Sequence, residues 1–196
     1  MITKEKYKQI VSLYGKTSSF AIWGKYVSDL SVFEDKNEPW KKVNDKYVIV
    51  ALNPACELKV PFENFHSSNG KHGDERLMNA LIDTKLEGAF MTDLSGIKSP
   101  DSSVISISEK DVDLLLEKIK LLGDIKNVIL FSSKCKELEK WFKQRGLRIF
   151  RLLHYSKQNG NAVKKFCLKN NIVGIDGNDK YIKAVRMQIE RIDDNE

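Results

Sequence analysis

The sequence predicts an α/β protein, a mostly parallel β-sheet with helices on both faces. Two observations carry that prediction. Short aliphatic runs of strand length recur four times, at residues 47–52, 89–94, 128–131 and 147–153. The segments between them place apolar residues at helical spacing, each with a recognisable cap or stop. Strands that alternate with helices pair in parallel, because each crossover helix packs back on the sheet.

The elements follow in order. Residues 3–14 read as a helix with Tyr7, Ile10, Val11 and Tyr14 on one face, Thr3 placed to cap it and Gly15 to stop it. Residues 18–32 are apolar with small residues and show no clear period. Residues 34–44 are polar, contain Pro39 and read as a loop. After the first strand, Asp74 is placed to cap a helix to about residue 83, with Leu77, Met78 and Leu81 inward. The second strand leads into a Gly/Ser/Pro-rich loop at 95–106. Ser108 and Asp111 have the spacing of a capping box, and Val112, Leu115, Leu116, Ile119 and Leu122 continue that helix until Gly123. Residues 135–145 form a helix with Leu138, Trp141 and Phe142 inward. A short helix is expected near 162–168 and an amphipathic one over 179–191.

The chain of 196 residues suits one domain, 1–196, with residues 1–45 as an N-terminal helix and loop extension. Its 41% hydrophobic and 31% charged residues fit a water-soluble globular class. No apolar run approaches the ~20 residues of a membrane span, and the opening MITKEKYKQI lacks the apolar core of a signal peptide. Three widely spaced cysteines, Cys56, Cys135 and Cys167, argue against a disulfide framework and a metal cluster, and fit a reduced cytoplasm. We expect no metal, no cofactor and no membrane contact, and a monomer. A net charge of +6 permits a polyanionic partner such as nucleic acid.

In parallel sheets, ligands bind beyond the carboxyl ends of the strands. Four polar sets stand there: Asn53-Pro54, Asp93-Leu94-Ser95, Ser132-Ser133-Lys134 and His154-Tyr155-Ser156. Asn-Pro after a strand is commonly a plain turn; the functional alternative for Asn53 is to position a water or an anomeric carbon. Asp93 reads as a loop anchor or as a group that recognises a base or activates water. Phe62 and Phe65 read as a lid on the core or as surfaces that stack on a planar ligand. His154 is a structural residue or a donor to a developing anion. Lys157, Gln158 and Asn159 read as a solvated turn or as phosphate contacts. Phosphate-loop, nucleophile-elbow and His-Glu metal-helix signatures are absent.

The ordered series VALNPA (50–55), PFENF (61–65), FMTDL (90–94), VILFSSKC (128–135) and LLHYSKQNG (152–160) resembles the uracil-DNA glycosylase superfamily. The resemblance implies a three-layer α/β/α sandwich with a central four-stranded sheet, and a protein that flips a base of DNA and hydrolyses its N-glycosidic bond. It implies Asn53 as the water-positioning residue, Phe65 or Phe62 as the stacking aromatic, Asp93 as the reader of the base edge, His154 as the stabiliser of the departing base and Ser156 as a backbone-phosphate contact. The sequence departs from the family at four points: Leu52 stands where the family often has a residue flanked by glycine, Asn53 replaces the acid of the most active branches although some use Asn-Pro, and the other two are Asp93 and Tyr155. Asp93 stands where an amide is common, and a carboxylate, which only accepts, suits an exocyclic amino group better than a uracil carbonyl. Tyr155 replaces the proline of the family's His-Pro-Ser. The alternative expectation is a non-catalytic member that binds nucleic acid or a nucleotide. A generic α/β domain with a small-molecule pocket is the third.

Overall fold

The computed structural model describes residues 2–68, 73–131 and 136–192, without the side chains of Lys136, Glu137 and Lys157. Its centre is a five-stranded sheet. The strands are β1 (Ser18–Phe20), β2 (Asn44–Ala51), β3 (Ala89–Asp93), β4 (Asn127–Leu130) and β5 (Arg148–Arg151), in spatial order β1-β3-β2-β4-β5. The last four are mutually parallel, and β1 runs antiparallel to β3.

The helices are α1 (Lys4–Tyr14), α2 (Asp74–Leu81), α3 (Glu109–Lys120), α4 (Lys136–Gln144), α5 (Gly160–Lys169) and α6 (Gly177–Glu190). Alternation along the strands sorts them into two layers. Val48, Val50, Phe90, Val128 and Leu130 face α1, α3 and α4. Tyr47, Ile49, Ala51, Met91 and Ile129 face α2, α5 and α6. Each of these strand residues is nearly fully buried, and burying one such side chain contributes roughly 1.5–3 kcal/mol. That periodicity is why one sheet supports two cores.

Two local features differ from expectation. The sheet has five strands rather than four. Ser18–Phe20 is too short to show a period, and its serines are satisfied by partners distant in sequence: the Ser18 and Thr92 hydroxyls lie 2.7 Å apart, and Ser19 donates to the Asn64 carbonyl at 2.8 Å. The described part of that segment, residues 2–45, is therefore packed into the domain, with Tyr7 and Phe20 in its core. Second, Asp74 does not cap α2. Gly73 takes that place at φ +85, and the Asp74 carboxylate instead accepts the Ser67 N–H at 2.9 Å. Elsewhere the capping signals hold: Thr3 accepts from Lys6 N–H, and Ser108 and Asp111 form the capping box of α3.

Candidate functional site

The carboxyl ends of β2, β3, β4 and β5 share one edge of the sheet, which gathers Asn53, Asp93, Phe131 and His154. Asp93 and His154 sit beyond strands three places apart in the sheet. At ~4.8 Å per strand interval their backbones are ~14 Å apart. No hydrogen bond joins the two residues among those described.

His154 is half-buried beyond β5. Its Nδ1 accepts the backbone N–H of Ser156 at 2.9 Å. An accepting nitrogen carries no proton, so the neutral ring holds its proton on Nε2, and that N–H has no partner among the described residues. Burial, with the Arg76 guanidinium nearby, lowers the pKa of His154 to about 4. The imidazole is therefore neutral at physiological pH and presents one donor, Nε2–H, that is bound to no described residue. Ser156, expected to meet phosphate, has its amide committed to His154, and its hydroxyl oxygen accepts from Gln158 N–H at 3.3 Å.

Arg76 is the residue that the sequence reading missed. It lies in the first turn of α2 and is only 7% exposed. Its Nε donates to the Tyr155 carbonyl, its guanidinium lies 4.5 Å over the Tyr181 ring, and its Nη2 is buried without a hydrogen-bond partner. Buried charges are ordinarily paired, and no ion pair to Arg76 exists among the described residues. The tyrosine and histidine near the end of the sequence motif thus lie beside a buried cation that has no carboxylate partner among the described residues.

Tyr155 fills the space between the aromatics of the edge. Its ring stacks on His154 (4.7 Å, 11°) and meets Phe131 and Phe65 edge-on at 5.5 and 6.1 Å. Phe65 is thereby at the site. Phe62 is not: it is buried in the opposite layer, stacked on Phe33 at 4.4 Å and packed against Tyr7 and Phe20. Its expected role as a stacking surface is corrected to that of a core residue, because its ring has no face left for a ligand. Both phenylalanines hold positive φ, +67 and +64, a conformation that bulky residues adopt only when their surroundings enforce it.

Asn53 follows β2. Both hydrogens of its amide are used, on the carbonyls of Ser99 (2.8 Å) and Pro54 (3.0 Å), which leaves Oδ1 as its free acceptor. Asp93 ends β3, 6% exposed, and accepts from the Asn64 amide at 2.7 Å. Burial pushes its pKa up to about 7; the Asn64 hydrogen bond and the Lys118 ammonium oppose that rise and Asp74 adds to it. Near neutrality the carboxyl is therefore protonated part of the time, and it then offers a donor as well as an acceptor, as an amide does. The expectation that it could only accept is revised by this burial. Among the other expected contacts, Gln158 is exposed and Asn159 half-buried, in a short turn that leads into α5. The side chain of Lys157 and the whole of Ser132-Ser133-Lys134 lie outside the described residues.

His66, the first histidine of the chain, is a core residue, 1% exposed and stacked on Trp23. No group of metal-ligating residues occurs among those described, and none of their helices is long and apolar enough to cross a membrane.

No family model, curated protein or solved structure matches the chain. The fold and the edge define its class: an α/β protein of three layers with a polar, aromatic-walled site at the carboxyl ends of its parallel strands.

Proposed function

We propose that this edge receives a nucleobase of DNA and that the protein is a glycosylase-type hydrolase of the N-glycosidic bond. The observation that carries the reading is His154, a neutral imidazole whose tautomer is fixed by Ser156 and whose Nε2–H is unspent. Cleavage of the C–N bond leaves its electron pair on the base and positive charge on the sugar. A preorganised donor stabilises the developing anion without reorganising. His154 supplies that donor, and the Arg76 cation beside it adds a favourable field. Asn53 Oδ1 accepts a hydrogen bond from the water that attacks the anomeric carbon, and the water's proton is released to solvent as the new C–O bond forms. Tyr155, half-buried at the edge, provides aromatic surface for an extruded base, with the buried Phe65 ring packed behind it. The excess of lysine favours the phosphate backbone. The motif series that resembles the uracil-DNA glycosylase superfamily supports the same assignment of roles.

A second reading, binding without cleavage, is favoured by one feature: the Tyr155 ring already lies against His154, Phe65 and Phe131, where an extruded base would be held.

The test uses duplex and single-stranded oligonucleotides carrying uracil, hypoxanthine, mismatched thymine or hypermodified bases, with alkali to reveal abasic sites. Abasic product from any of them, abolished in His154→Ala, supports hydrolysis. Salt-dependent binding without product selects the second reading, and the absence of both removes the two together.

A further inference from the structure

A concave feature lies beyond the carboxyl ends of β2 and β3, and His154 is not among its lining residues. It is a cavity of about 320 Å³, at the small end of the ~300–1,000 Å³ typical of ligand pockets. Its walls are the 54–59 loop, the 95–98 loop and α3, with Asp93 among its lining residues.

Four lysines line it, Lys16, Lys59, Lys98 and Lys118, against only two acids. One of those acids, Glu57, is committed to Lys98 at 3.0 Å. The other, Asp93, has its pKa raised by burial to about 7, so it is charged part of the time near neutral pH and then attracts Lys118. Lys118 is half-buried with no carboxylate in salt-bridge range among the described residues; its Nζ lies 3.4 Å from the Thr92 hydroxyl. Burial lowers its pKa, and Asp93 opposes that only in part. The cavity thus gathers four cationic side chains of which one, Lys98, is in a salt bridge, an excess of positive charge that suits an anion.

The cavity is also preformed. Asn53 ties its two loops together by donating to the carbonyls of Pro54 and Ser99, and Ser99 N–H donates to Pro54 at 3.0 Å. Pro54 and Leu58 give it an apolar wall.

We infer that this cavity is a binding site for a phosphomonoester of mononucleotide size, its phosphate on Lys118 and the mouth lysines and its polar end on Asp93. Lysine serves phosphate as a point charge, and the volume admits one nucleotide with little to spare. The inference stands apart from the assignment of His154, since it uses neither that residue nor Arg76.

Cys56 lines the cavity and is exposed, which gives a direct readout. The full chain is titrated with a nucleoside 5′-monophosphate, the same nucleoside without phosphate, inorganic phosphate and a short 5′-phosphorylated strand. Affinity is followed by calorimetry and Cys56 alkylation by peptide mapping. The expected result is saturable binding of a phosphomonoester, free or at a strand end, at least about tenfold tighter than the bare nucleoside, with Cys56 protected. Lys118→Met and, independently, Lys16→Gln weaken binding, each with an unchanged circular dichroism spectrum, and His154→Ala leaves it intact. Equal affinity for nucleoside and nucleotide overturns the inference, as does binding without Cys56 protection or binding unaltered in both lysine variants. Loss of binding in His154→Ala also overturns it, by placing the ligand at the other site.

Discussion

Replacing Asp93 with Asn isolates the electrostatic cost of a carboxyl at the end of β3. Asp93 is buried, and its pKa rises from an ordinary 3.8 to about 7. The sign follows from proton counting. Between those two values the native chain holds a proton that the unfolded chain has released, so stability falls as pH rises through the window and stays low above it. At 1.36 kcal/mol per pH unit, the folded state carries a penalty of about 4 kcal/mol near pH 8 and about 2 kcal/mol near pH 5. Asparagine keeps the shape and the acceptor for Asn64 and has no charge to desolvate. Asp93→Asn therefore stabilises the protein, by about 2–3 kcal/mol more near pH 8 than near pH 5. Urea unfolding at the two pH values, followed by circular dichroism, reads the difference directly. A variant whose gain is the same at both, or whose stability drops at pH 8, refutes the argument that burial dominates over Lys118 and Asn64.

Four further outcomes follow from the same structure. Long-range ¹⁵N–¹H correlation spectra show His154 as the Nε2–H tautomer, titrating near pH 4; Arg76→Met raises that value by about one pH unit, since a nearby cation is worth one to a few units. Because the folded pKa of His154 lies below its ordinary 6.5, its contribution is complete above that value and is lost as pH falls toward 4, a slope that His154→Phe removes. Phe62→Ala costs roughly 3–5 kcal/mol, as large-to-small changes in a core do, measured by denaturant titration; a loss below about 1 kcal/mol would return Phe62 to the surface. Gly73→Ala destabilises by more than about 1 kcal/mol, because φ is +85 and a Cβ there meets the Tyr155 carbonyl. The same spectra detect the accompanying shift at His154.

The parallel strands β2, β3 and β4 were legible because their runs are buried on both faces and so read as apolar, while β5 at the sheet edge is only half-buried and was legible from the apolar residues around it. The short Ser18–Phe20 strand was not, since its serines bond to groups that only the fold brings near. The strand-end rule located Asn53, Asp93 and His154 without reference to contacts. It could not locate Arg76, because an arginine in a helix reads as a solvated face until the burial of that turn is known. Nor could it separate Phe62 from Phe65, which lie three residues apart in one motif yet enter opposite layers of the sandwich. The protonation of Asp93 was equally hidden: burial sets it, and burial is a property of the folded chain.

The central claim is that the fixed donor of His154 acts on a base at this edge. The most direct measurement compares abasic-site formation by the wild-type protein and by His154→Ala, at about 50 and 200 mM salt, across the panel of modified oligonucleotides. The account predicts product with at least one base, strongest at low salt and reduced by at least about a hundredfold in the variant. Product formed equally well without the imidazole, or no product and no binding at either salt concentration, contradicts it.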